Sequence, residues 1–151
     1  MKKLFCYSLL LLPLIALACT ACAQPRLVLP FAAAEVVQVE VYRFTVPTQA
    51  EQKMVTGESD IAHIVDTLTA SPVRQNRLAE VAGSTVTSFR FHLTDGQFFT
   101  VLYADHGDGA GTLRSSYAFD YQTTADIGRL WAECDYDAVP VDEAFLPAYE
   151  R

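Results

Sequence analysis

The sequence predicts an α+β domain, an antiparallel sheet of four to five strands with two helices packed on one face. Three observations predict it. Residues 35–46 (EVVQVEVYRFTV) are rich in β-branched side chains and alternate in polarity, as a half-buried strand does. Residues 85–105 (TVTSFRFHLTDGQFFTVLYAD) place Asp95-Gly96 between two alternating runs, the strongest short-range signal for a hairpin. Ile61, Ile64, Val65 and Leu68 recur at i, i+3, i+4 and i+7, and so do Ile127, Leu130, Trp131 and Cys134. That spacing lines one face of a helix.

Ahead of this pattern, Met-Lys-Lys is followed by Leu4 to Ala23, which carry no charge. A basic start, an apolar stretch and small residues at the end make a signal segment over 1–23. Three outcomes fit it. Ala21-Cys22-Ala23 suits ordinary cleavage before Gln24. Cys19, after Ile15-Ala16-Leu17-Ala18, or Cys22, after Thr20-Ala21, suits lipidation of the thiol. An uncut segment also suffices as an anchor, since about 20 apolar residues span a bilayer. Each outcome places the rest of the chain outside the cytoplasm, either lipid-anchored to the cell membrane or secreted.

Removing residues 1–23 leaves 128 of the 151 residues, the size of one ordinary domain. Lys2 and Lys3 leave with the signal, so the net charge falls from −7 to −9. Such a chain repels nucleic acid and anionic lipid head groups, and no basic patch with interleaved aromatics appears. Cys134 falls on a helical apolar stripe, where a free cysteine acts as a small hydrophobe, and a bridge to Cys22 is not expected.

In chain order, residues 24–34 read as a tether and residues 35–151 as a single domain with an irregular acidic tail. After the first strand, Pro47 breaks the run and Gln52 to Thr56 suit a short second strand. Ser59 suits the N-cap of the first helix, with Asp60 in its first turn, and Ser71-Pro72 stops it. Residues 73–84 read as loop or a weak edge strand. A two-residue type I′ turn at Asp95-Gly96 would pair Leu93 with Phe98 and His92 with Phe99. It would put Phe89, Phe91, Leu93, Phe98 and Leu102 on one face, and Arg90, His92, Phe99, Val101 and Tyr103 on the other. Thr112 to Tyr121 alternate as one further strand, with Leu113, Tyr117, Phe119 and Tyr121 on one side. The second helix begins near Thr124. The expected core is Ile64, Phe91, Leu93, Phe98, Leu102, Phe119, Leu130 and Trp131.

The segments DIAHIVDTL, FRFHLTDGQFFTVLY and DIGRLWAECDY resemble those of small secreted or lipid-anchored proteins of Gram-positive bacteria built from one domain of unknown function. The resemblance spans residues 36–136. It implies an accessory protein at the cell surface and carries no catalytic residue.

The remaining signals separate two functions. His63, His92 and His106 have no metal-ligand spacing, no nucleophile motif is present, and neither a metal nor another cofactor is expected. Aromatics are in excess, however. With the helices covering one sheet face, the other would present Tyr42, Phe44, Arg90, His92, Phe99 and Tyr103. These residues form the candidate binding surface of a non-catalytic binding or regulatory module, its partner an unknown protein or small ligand of the cell envelope. A competing reading has the tail, with Tyr136, Val139, Val141, Phe145, Leu146 and Tyr149, fold over this face. The alternative function is a metal-dependent or hydrolytic enzyme built on the 105–109 loop (Asp105, His106, Asp108) with His92. The same loop equally suits a glycine-rich hairpin connection.

Overall fold

The computed structural model describes residues 24–75, 83–107, 109–115 and 119–147. The signal segment with Cys19 and Cys22 lies outside the described residues, as do Asp108, Tyr117 and Tyr149. The strands are β1 (Val36–Phe44), β2 (Glu51–Val55), β3 (Val73–Gln75), β4 (Thr85–Leu93), β5 (Phe98–Asp105), β6 (Gly111–Ser115), β7 (Phe119–Thr123) and β8 (Val139–Pro140). Two α-helices accompany them among the described residues, α1 (Glu58–Ala70) and α2 (Leu130–Glu133). All eight strands join one antiparallel sheet in the order β3-β7-β6-β5-β4-β1-β2-β8.

The expected α+β arrangement of four to five strands with two helices on one face is therefore overturned. The chain is mostly β, and both helices are short. Part of the difference lies at the sheet edges: β3 falls where a weak edge strand was one of two readings, and β8 is too short for alternation to reveal it. The rest lies in residues 112–121, read as one strand, which reverse to give β6 and β7. Leu113 pairs with Tyr121 and Arg114 with Asp120. Side chains alternate with period two, so this hairpin presents the same faces as one straight strand would. The pattern cannot tell them apart.

The second apolar stripe is buried as its spacing implies, with Ile127 and Leu130 fully enclosed, yet only four residues are α-helical. Gly128 interrupts the run, and the turn ahead of α2 closes through Leu130 N–H to Ile127 O and Trp131 N–H to Gly128 O. Lys53 secures the far end. Its Nζ donates to the carbonyls of Trp131 (2.9 Å) and Cys134 (2.7 Å) and lies over the indole. Cys134 is free and buried, and burial pushes its thiol pKa up.

Helix α1 starts two residues earlier than Ser59 would have it, with Gly57 at the N-cap. The Tyr136 hydroxyl accepts from Gly57 N–H (2.9 Å) and donates to Asp60 (2.8 Å), so a distant side chain does the capping. A Cβ on Gly57 would lie 2.8 Å from both oxygens, which explains the glycine.

Residues 24–34, read as a tether, are instead packed into the fold. Leu27 and Leu29 are buried, and the Phe31 ring lies 5.0 Å from that of Phe91. Together with α1, the 127–134 stripe and one sheet face, they enclose the core around Val39, Val41, Phe89, Phe91, Val101 and Leu113.

The β4–β5 register differs by one residue from the type I′ expectation. Gly96 N–H bonds to Leu93 O, Leu93 N–H bonds to Gln97 O, and Gly96 alone in this loop takes a positive φ, at 83°. This is a type I turn followed by a left-handed glycine bulge. Phe91 consequently pairs with Phe99 and His92 with Phe98. Of the expected core, Phe98 is 64% exposed, Leu102 is buried against the opposite face, and Leu93 and Phe119 are only half-buried. Phe91→Ala should cost about 3–5 kcal/mol in urea unfolding, as for a large core truncation. Phe98→Ala should change stability by less than about 0.5 kcal/mol, as at exposed positions.

Candidate functional site

Strand parity builds the second sheet face. In β1, Val39 and Val41 point into the core, so Glu40, Tyr42 and Phe44 point away from it. Cross-strand pairing sets Glu40 opposite Arg90 and Gln38 opposite His92 on β4, and Gln52 of β2 opposite Tyr42. Phe98 and Leu102 of β5 continue the face.

The Glu40 carboxylate is the hub of this face. Its Oε2 accepts from the Tyr42 hydroxyl and from Arg90 Nη1 (3.0 Å), and its Oε1 lies 2.9 Å from His92 Nε2. The Tyr42 hydroxyl oxygen also accepts from Arg90 Nη1 (3.2 Å) and Gln52 Nε2 (3.3 Å). The guanidinium lies over the tyrosine ring, and the His92 ring meets Phe98 edge to face at 4.7 Å. The Glu40 side chain is 12% exposed, against 27% for Arg90 and 23% for His92. The anion is therefore enclosed, and its two cationic-type partners reach the surface.

Burial by itself raises the Glu40 carboxyl pKa. The hydrogen bonds from Tyr42 and His92 and the charges of Arg90 and His92 outweigh it and hold the group below its ordinary value of 4.5. Burial, with the adjacent Glu40 carboxylate, pushes the Tyr42 hydroxyl well above its ordinary range. Tyr42 thus stays protonated, and both Glu40 oxygens are engaged. The cluster therefore holds Arg90 and His92 in fixed positions around a saturated carboxylate.

Of the six residues assigned to the binding surface, Tyr42, Phe44, Arg90 and His92 share this face. Phe99 and Tyr103 do not. The register carries both to the core side, where Tyr103 is buried and Phe99 packs against Phe31 at 5.4 Å. Met54, 39% exposed, and Phe98 take their places as the face's apolar members. Between the buried Tyr42 and Leu102 lies Ser88, whose Oγ is buried without a hydrogen-bond partner among the described residues.

The tail reaches the face at Arg90. β8 extends the sheet beyond β2, Val141 N–H bonds to Ala50 O, and the Phe145 carbonyl accepts from Arg90 Nη2 at 3.4 Å. Phe145 itself remains exposed, and Tyr136 leaves the tail to cap α1 on the core side.

The loop beginning at Asp105 and His92 do not form one centre. Asp105 pairs with Thr85 at the opposite end of β4, seven residues from His92. At about 3.4 Å per residue that is roughly 24 Å. Asp105 Oδ1 instead accepts from Gly107 N–H within its own turn. His63 binds Glu133 at the surface between the two helices. No group of metal-ligating side chains occurs among the described residues.

Glu40 is the central residue of this face that the binding-surface reading left out. An acidic residue in a β-branched strand, sharing parity with Tyr42, was a readable sign that a cation stands opposite. No family model, curated protein or solved structure matches the chain.

Glu40→Gln should destabilise the domain by about 1.5–3 kcal/mol near neutral pH, the range for hydrogen bonds to charged groups. A carboxyl held below its unfolded-state pKa contributes stability that is complete above that value and is lost as pH falls through the folded-state value. The gap between wild type and Glu40→Gln should therefore shrink as pH falls below 4.5, in parallel urea titrations.

Proposed function

We propose that the protein is a non-catalytic binding or regulatory module. It is held outside the cytoplasm by its N-terminal segment and takes its partner, a protein or small ligand of the cell envelope, on the sheet face around Arg90. The observation that carries this reading is the division of labour at Glu40. The carboxylate is enclosed and saturated, whereas Arg90 and His92 are fixed by it and still reach solvent beside exposed Phe98 and Met54. Arginine and aromatic side chains fixed in place supply contact energy with little ordering entropy to lose. The uncharged run from Leu4 to Ala23 supports the location.

A photo-crosslinking residue at position 98, in cells, tests the proposal against the same residue at exposed Val46. A discrete higher-mass adduct is expected from position 98 only. It should weaken with Arg90→Lys, which keeps the charge but not the planar fork that Glu40 and Tyr42 hold. Equal adducts from both positions, or none from position 98, would contradict it.

A further inference from the structure

The N-terminal segment enters the fold almost at once. Val73 N–H donates to Pro25 O (2.8 Å), and Leu27 N–H donates to Ser71 O (3.1 Å). Arg26 bridges to Pro72, and Leu27 is 2% exposed. The chain is thus fastened at Pro25, beside β3, the outermost strand on that side of the sheet. On the anchored reading above, a lipidated Cys22 stands three residues before Pro25 and a lipidated Cys19 six. A fully extended chain covers at most about 3.6 Å per residue, so the lipid lies within about 10 or 20 Å of the fold.

We propose that the β3 edge and the adjoining end of α1 form a membrane-facing surface that seats the domain on the lipid head groups in one orientation. Charge placement agrees with this. Arg26, Arg74 and Arg129 surround Pro72 and are exposed. They are three of the nine basic residues that remain once the signal is removed from a chain of net charge −9. Arg129 borders an open groove of about 490 Å³ with Asp66, Ser71, Pro72 and Asp126, and its Nε lies 3.6 Å from Glu133. Arginine forks match phosphate geometry, and their stems lie readily along apolar surface. An acidic domain held near anionic lipids lowers its electrostatic energy by turning Arg26 and Arg74 inward, while Arg129 stands beside the carboxylates of Asp66, Asp126 and Glu133.

The orientation has a consequence for the site. Strands lie about 4.8 Å apart, so β4 and β1, four and five strands from β3, carry Arg90 and Glu40 roughly 20–24 Å from the membrane edge. The recognition face is then presented outward, to envelope partners.

The test uses the full processed protein in vesicles of phosphatidylcholine and phosphatidylglycerol containing a quencher-bearing lipid. A fluorophore is attached at Gln75→Cys on β3 or at Val139→Cys on β8, the far edge. Cys134 is buried, and whichever of Cys19 and Cys22 carries no lipid is replaced by serine. Quenching several-fold stronger at position 75 than at position 139 is expected. Equal quenching at both positions, in protein that sediments with the vesicles, would overturn the orientation while leaving the anchor intact. Protein with no lipid on its mature N-terminus that stays in the supernatant would overturn the anchored reading, and this inference with it.

Discussion

One glycine bulge governs which side chains of the central hairpin meet the core. With Gly96 at positive φ after a type I turn, β5 runs one residue out of step with a two-residue type I′ hairpin. A one-residue slip moves every side chain of a strand to the other face. Phe99, Val101 and Tyr103 therefore join Phe89 and Phe91 in the core, and Phe98 and Leu102 join Arg90 and His92 outside it. Gln97 N–H bonds to Asp95 Oδ1, so the aspartate holds the turn locally. The glycine supplies the conformation that a side chain resists.

The rest of the sheet follows from that register. β1 pairs with the free edge of β4, so its own alternation places Val39 and Val41 beside Phe91 and Phe89 and sends Glu40 to meet Arg90. On the other side, β6 sets Leu113 opposite Tyr103. Gly111 lies beneath that tyrosine ring, where a Cβ would come within 2.2 Å of it. One face is thus dry and aromatic. The other carries a charged hub whose carboxylate is satisfied three times over. A buried charge is tolerable when it is paired and hydrogen-bonded in this way.

The sequence was legible wherever burial and period coincide. The first strand, the α1 stripe and the four buried residues from Ile127 to Cys134 were readable because each repeats against a single apolar surface. The hairpin was readable as a hairpin, but not its register, because Asp-Gly suits two turn types that differ by one residue. Edge strands of two or three residues carry no period at all. The β6–β7 reversal hides inside a continuous alternation. At the site, parity brought Tyr42, Phe44, Arg90 and His92 to one face. Phe99 and Tyr103 were misplaced by the same one-residue step that misplaced Phe98. The packing of Leu27, Leu29 and Phe31 was hidden for another reason, since an isolated extended segment with apolar residues looks like any linker until the groove it fills is known.

The register is the claim from which the site, the core and the exposed aromatic all follow. Antiparallel pairs without mutual hydrogen bonds bring their Cα atoms to about 4.5 Å, close enough for a strong nuclear Overhauser effect between α protons. In the observed register, Thr100 faces Arg90. The account predicts a strong cross-peak between the α protons of Arg90 and Thr100, accompanied by one between His92 and Phe98. Strong cross-peaks joining Phe91 to Thr100 and Leu93 to Phe98 would instead contradict it.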